Sequence, residues 1–159
     1  MIVQMRIDER LTHGQVCSTW INTLGATHVL VPNDQVANDE FQKNIMSMGI
    51  PSNVKALFTT LDKAVDILNS PKANNAKMFV VIKTPKDALY IVEHTQGIEE
   101  VNIANYGSIV QTGKKIEYSI GRFVLLDEDD VAYVKGIKEK VKNVFHQDIV
   151  GSSVKKIAF

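Results

Sequence analysis

"MFVVIKTPKDALYIV", residues 78–92, is the stretch on which the choice of fold turns. Its first six residues form an almost unbroken apolar run, with no alternation to keep one face wet. Such a run reads as a strand buried on both faces, the mark of a parallel sheet covered by helices above and below. Thr84 follows as a helix N-cap, and Pro85 sits at the first helical position, where its missing N–H costs nothing. Ala88, Ile91 and Val92 then give the helix an apolar side. A strand that runs directly into a capped helix is half of a βαβ unit.

The pattern repeats outward from there. "IVQMRI", 2–7, is strand-like, and from Gly14 to Leu24 the period changes, with Val16, Trp20 and Leu24 forming an apolar helical stripe before a C-capping Gly25. "HVLVP", 28–32, is a second strand. "NDQVAND" reads as a loop ending on Asn38 or Asp39 as N-cap. Phe41, Ile45 and Met48 mark the next helix face, which Gly49 and Pro51 end. "VKALFT", 54–59, is a strand, and Leu61, Val65 and Leu68 line a helix capped by Thr60. "VNIAN", 101–105, is a fifth strand, followed by "YGSIVQTGKK" as a loop or turn. "IEYSI" and "FVLL" are strand-like. The acids from Asp127 to Asp130 suit a helix N-terminus, and Val131, Val134, Ile137 and Val141 continue that helix. "VFHQDIV" is a short last strand. The alternation predicts an α/β fold: a single domain over residues 1–159, with an open, mostly parallel sheet and helices on both faces.

Bulk composition sets further bounds. Apolar residues make up 45% of the 159 and charged residues 23%, as in ordinary globular chains. Eighteen basic and eighteen acidic side chains cancel. The molecule as a whole therefore has no bias toward nucleic acid or anionic lipid, and any anion site must be local. The single cysteine, Cys17, fits a reducing compartment. No apolar run approaches the roughly 18 residues of a membrane span, and the N-terminus is too acidic for a signal peptide. These features predict a cytoplasmic protein.

In open α/β sheets, ligands bind beyond the carboxyl ends of the strands. That places interest on 8–14, 33–38, 59–60, 83–86 and 104–108. No G-x-G-x-x-G, P-loop or G-x-S-x-G pattern occurs there, which removes the simplest dehydrogenase, NTPase and hydrolase readings. His13 and Cys17 are four apart, but no matched second pair supports a metal site. His13 is the stronger feature on its own. It stands immediately before a helix, where backbone N–H groups lack internal partners and the dipole favours an anion. Arg10 adds a permanent charge with forked donors suited to phosphate. An imidazole there can serve as base, anion ligand or nucleophile, and a phosphoryl group on its nitrogen would use all three parts. The competing reading is a surface histidine beside a solvent-exposed ion pair of Arg10 with Asp8 or Glu9. Asn33 and Asp34 are candidates to orient the imidazole or its loop, or else form a simple Asx turn. Lys83 and Thr84 can approach a phosphate, although snorkelling and capping explain them equally well. Cys17 and Trp20 read as core. His28, His94 and His146 read as structural or solvated.

"RIDERLTHGQV", 6–16, followed by Trp20, resembles the signature of the IIB component of the mannose/fructose/sorbose type of the bacterial sugar phosphotransferase system. "VPNDQVANDE", 31–40, resembles that family's second motif, "VNIANYG" its fifth-strand motif, and "LDEDDVAYVKGIKEK" its last helix entrance. The likeness runs in order along nearly the whole chain. It implies a phosphocarrier that accepts a phosphoryl group from a IIA protein or domain. The group would pass to a sugar during uptake through the membrane components IIC and IID, with which the chain would associate peripherally. His13 matches the phosphorylated histidine, modified on Nδ1, and Arg10 the arginine beside it. Asp8, Gln15, Asn33, Asp34, Thr60 and Thr84 are carried as supporting positions. No cofactor or metal is implied, and a homodimer is left open. Two proteins must reach His13 in turn, so flat surroundings are expected. Ala104 replaces an expected glycine, and the C-terminus lacks an expected proline. "NYG" leans toward the sorbose or amino-sugar branch. The alternative is a regulatory α/β module in which His13 and Arg10 hold a small anion without covalent chemistry.

Overall fold

The computed structural model describes residues 1–109, 113 and 115–159. Part of "YGSIVQTGKK" therefore lies outside the described residues. Strands β1 (Ile2–Asp8), β2 (His28–Pro32), β3 (Lys55–Thr59), β4 (Met78–Ile82), β5 (Glu100–Asn105), β8 (Asn143–His146) and β9 (Lys155–Lys156) form one sheet in the order β3-β2-β4-β1-β5-β8-β9. All its pairings are parallel except β8 with β9. The sequence direction reverses at β1: β2 and β3 lie to one side, β5 and β8 to the other. Loops at such a reversal open a crevice at the strands' carboxyl edge. The helices are α1 (Gly14–Leu24), α2 (Asp34–Ala37), α3 (Glu40–Ser47), α4 (Leu61–Asn69), α5 (Pro85–His94) and α6 (Glu128–Lys138).

Side chains along a strand alternate between faces, and here they feed two cores. Met5, Ile7, Leu30, Val80 and Ile82 pack with Ala64, Ile91 and Val134 of α4, α5 and α6. Val29, Val31, Phe79 and Val81 pack with Cys17, Trp20 and Ile21 of α1. The open α/β sheet with helices on both faces is as expected, and β4 is buried at every residue.

Three local expectations change, and two strand-like runs are borne out in a sheet of their own. "NDQVAND" is not all loop: Asn33 Oδ1 accepts from Val36 N–H and starts the short helix α2, so Asp39, capping Gln42 N–H, begins α3. The stripe Phe41, Ile45 and Met48 is helical up to Ser47, yet it faces solvent, at 73%, 49% and 87% exposure. "IEYSI" and "FVLL" become β6 (Ile116–Ile120) and β7 (Val124–Asp127), an antiparallel pair forming a second sheet. Finally, α6 stops at Lys138, short of Val141, and the last parallel strand at His146.

The start of α6 is a capping box. Asp130 N–H donates to Asp127 Oδ1 at 2.9 Å, and Asp127 N–H donates to Asp130 Oδ2 at 3.1 Å. Burial pushes the Asp130 carboxyl up from its ordinary 3.8 to about 6, against the pull of the Asp127 amide. A carboxyl raised in the fold contributes stability that is complete below its unfolded pKa of 3.8 and is lost as pH rises through about 6. Asp130→Asn keeps an oxygen for the Asp127 amide and removes the titration. Its melting temperature should therefore gain on wild type as pH rises across that window. Parallel melting curves in the two proteins would contradict this.

Candidate functional site

β1 ends at Asp8, and the chain turns through a tight loop before α1. Leu11 N–H donates to Asp8 O at 2.9 Å and His13 N–H to Leu11 O at 3.0 Å. Leu11 has φ of 57°, the only positive value among the described non-glycine residues, which costs about 1–2 kcal/mol in an L-residue. The loop is braced from α3. Thr12 Oγ1 donates to Met46 O at 3.3 Å, and Gly49 lies so close that a Cβ there would sit 3.3 Å from Gly14 O.

His13 is the N-cap of α1 and is exposed. Every other α-helix among the described residues starts on a side chain that accepts from its first turn: Asn33, Asp39, Thr60, Thr84 and Asp127. His13 makes no such bond, and the first turn of α1 holds no acid. The amides of that turn and the positive end of the dipole are thus left for an outside anion. His13 lines a cleft of about 450 Å³ with Gln15, Ser18, Ile45, Met48 and Pro51. The cleft is shallow and open, and one wall of it is apolar.

Arg10 is held by Asp8 as a fork: Nε donates to Oδ1 and Nη2 to Oδ2, both at 3.1 Å, while Arg10 N–H also donates to Oδ1 at 3.0 Å. These bonds to Asp8 hold the guanidinium even more firmly protonated than usual. Asp8 is 3% exposed, so this is not the solvent-exposed pair of the competing reading. Its other partner, Arg6, was absent from the sequence-derived candidates. Arg6 Nη2 lies 3.3 Å from Asp8 Oδ2, and the residue is 2% exposed. A signal was present: Met5 and Ile7 face the core, so period two puts Gln4, Arg6 and Asp8 together on the opposite face of a buried central strand, where charges must pair.

Glu9 points elsewhere. Its carboxylate accepts from Ser108 N–H at 3.3 Å and Ile109 N–H at 3.0 Å, tying the loop after β5 to the histidine loop. That second loop is fixed by Gly107, at φ +97°, where a Cβ would collide with the Leu125 carbonyl of β7. Gly107→Ala should cost on the order of 3 kcal/mol, from overpacking plus a left-handed backbone. A urea midpoint equal to wild type would contradict the close packing.

The remaining candidates separate into those at the site and those that frame it. Gln15 lines the cleft beside His13. Asn33 caps α2, and Asp34 Oδ1 accepts from Leu61 N–H at 2.9 Å, bridging to α4 and not to the imidazole. Thr60 and Thr84 cap α4 and α5, accepting from Lys63 and Asp87 N–H groups. Cys17 is buried, and burial pushes its thiol up to about 12. His146 is buried with Nδ1 2.7 Å from Ile103 O, whereas His28 and His94 bond locally to Thr27 Oγ1 and Tyr90 O.

Fold and site together define a class: a doubly wound α/β domain carrying an exposed histidine at an uncapped helix N-terminus, three residues after an arginine, in the loop of the strand where the order reverses. Residues 2–158 match the family described as "PTS system sorbose subfamily IIB component". The chain belongs to this family of sugar phosphotransferase system IIB components, phosphocarriers that pass phosphate toward sugar uptake. It is 34% identical over 159 residues to the N-acetylgalactosamine-specific phosphotransferase enzyme IIB component 1 of Escherichia coli, covering 98% of this chain and 96% of that one. It is 32% identical over 130 residues to the sorbose-specific EIIB component of Klebsiella pneumoniae, covering 82% and 76%. The crystal structure of the Escherichia coli IIB component 1 superposes with a TM-score of 0.86 at 33% identity over 99% of both chains. That of the Klebsiella pneumoniae sorbose permease IIB domain gives 0.87 at 27% over 98% and 93%. No helix among the described residues is long and apolar enough to cross a membrane.

Proposed function

We propose that the whole chain is one cytoplasmic phosphocarrier domain whose transferred group rides on His13. A IIA protein or domain brings the group as a phosphohistidine. The lone pair of His13 Nδ1 forms the new bond to phosphorus as the donor N–P bond breaks; that bonding pair stays on the donor ring nitrogen, which takes up a proton as the His13 ring releases the one on Nε2. In the next step a sugar hydroxyl oxygen attacks the same phosphorus. The Nδ1–P bond breaks with its pair left on Nδ1, and the proton that the hydroxyl gives up balances the one that the His13 ring regains. This second transfer belongs at the membrane, with IIC and IID delivering the sugar.

The observation that carries this reading is the bare N-terminus of α1, with Arg10 three residues before its N-cap His13. A loose, dissociative transition state needs its equatorial oxygens held, and preorganised amides with a guanidinium do that without a metal. Phosphorylated His13 would supply the cap that the unmodified side chain lacks, since phosphoryl oxygens on Nδ1 stand near the ring's own backbone. The first sugars to test are N-acetylgalactosamine and sorbose, which name the two relatives above.

Arg10→Ala should leave His13 in place and slow phosphoryl acceptance from phosphorylated IIA by about 10²–10³-fold, the usual effect of removing one donor from a developing charge. Rapid-quench intact-mass measurements read this directly. An unchanged rate would remove Arg10 from the mechanism.

A further inference from the structure

The polar face of β1 extends beneath the histidine loop to a group that cannot touch the phosphoryl. Arg6 is 2% exposed, and its guanidinium has three contacts. Nη2 donates to Asp8 Oδ2 at 3.3 Å, Nη1 donates to Gln147 O at 3.3 Å, and its central carbon lies 5.3 Å from the centroid of a Trp20 ring. The Gln147 end is itself fixed. Gln147 N–H donates to Asn102 Oδ1 and Asn102 Nδ2 donates to Gln147 O, each at 2.9 Å. Trp20 Nε1 donates to Asp148 O at 3.2 Å. Arg6 thus joins the first strand to the segment after β8, 141 residues away.

This arrangement has a consequence for Arg10. Asp8 held by Arg10 alone could swing about its own side-chain torsions and carry the fork with it. Arg6 supplies a point of attachment on the rigid sheet and removes that freedom. Arg10 is the member of the three that is partly exposed, at 31% of its side chain against 3% and 4% for Arg6 and Asp8.

The geometry points to Arg6 as a positioning residue for phosphoryl transfer: anchored on Gln147 O and packed on Trp20, it holds Asp8, and through Asp8 the Arg10 fork, in one fixed place for the group carried on His13. This role rests on the phosphocarrier reading above.

The test is a two-by-two cycle on the full chain, with phosphoramidate as a small phosphodonor. In that reaction the His13 nitrogen bonds to phosphorus as the P–N bond breaks and ammonia leaves with the bonding pair. Rates are compared for wild type, Arg6→Lys, Arg10→Ala and the double variant, each checked for a cooperative melt. Arg6→Lys keeps a charge but cannot bridge Asp8 and Gln147 in one plane. It should slow labelling roughly ten- to a hundredfold, as a misplaced catalytic group does. In the Arg10→Ala background the same change should do nothing, because Arg6 acts only through Arg10. If Arg6→Lys does not fold, Trp20→Phe takes its place in the cycle, loosening the Asp148 end, with a smaller slowing that again vanishes without Arg10. Equal rates in wild type and the Arg6 variant, or slowing that simply multiplies with that of Arg10→Ala, overturn the positioning role while leaving the phosphocarrier reading intact. A wild-type chain that takes no phosphoryl group on His13 overturns that reading and this role with it.

Discussion

His13→Ala is expected to reduce phosphoryl acceptance to background while leaving the fold intact. The two halves of this expectation have separate causes. The imidazole is exposed and contributes no cap to α1, so its removal forfeits little burial and no hydrogen bond that the helix relies on. Surface changes of that kind usually fall within about 0.5 kcal/mol. The chemistry, by contrast, loses its only proposed nucleophile, and removal of a nucleophile cannot be offset by the donors around it. Neither Cys17 nor another histidine can stand in. Cys17 is buried with its thiol pushed up to about 12, His146 is buried against Ile103 O, and His28 and His94 stand at the start of β2 and the end of α5, the opposite end of the sheet from the N-terminus of α1. The measurement is incubation with phosphorylated IIA followed by intact mass and a thermal melt. A His13→Ala chain that still labels fully would remove this residue from the role. A chain that unfolds would show that the loop depends on the imidazole in a way the contacts do not display.

The second large effect lies at Asp8. Asp8→Ala should destabilise the chain by about 3–5 kcal/mol, because it leaves the buried Arg6 guanidinium without its counter-charge. Burial already pulls the Arg6 pKa down, and Asp8 is the largest opposing influence. The same change releases the Arg10 fork, so labelling should fall together with stability. A compensated variant separates the two. Arg6→Met with Asp8→Leu replaces the buried pair by apolar side chains and should recover most of the lost stability, as apolar replacements of buried ion pairs often do. It should not recover the labelling rate, since Arg10 still lacks its anchor. Urea unfolding and labelling rates on the three proteins test this. If Asp8→Ala melts like wild type, the buried pair does not carry the weight assigned to it.

Much of this was legible in the sequence because the relevant physics is local. The unbroken apolar run of β4, the caps Thr60 and Thr84, and Gly25 at φ 64° all act within a few residues of where they stand. The pairing of Arg10 with Asp8 is equally short-range. What escaped the reading depends on distant parts of the chain. No spacing announces that Arg6 meets Gln147, or that Glu9 meets the amides of Ser108 and Ile109. The stripe Phe41, Ile45 and Met48 obeys the helical period but is not buried, since periodicity reports a face and not what covers it. Asn33 followed by an acid at Asp34 carries a capping signal that a loop reading passes over, and the structure uses it to start α2. The match to the sorbose-subfamily IIB components explains why a resemblance over the whole chain and the local physics arrive at the same loop.

The most direct test of the central claim is to phosphorylate the full chain from IIA, digest it, and locate the group by mass spectrometry under neutral and mildly acidic conditions. The account predicts one phosphoryl group per chain, on the peptide containing residue 13, stable in base and lost in acid as a phosphohistidine is. A chain that binds phosphate reversibly but shows no covalent adduct, or that carries its adduct on any other residue, would contradict it.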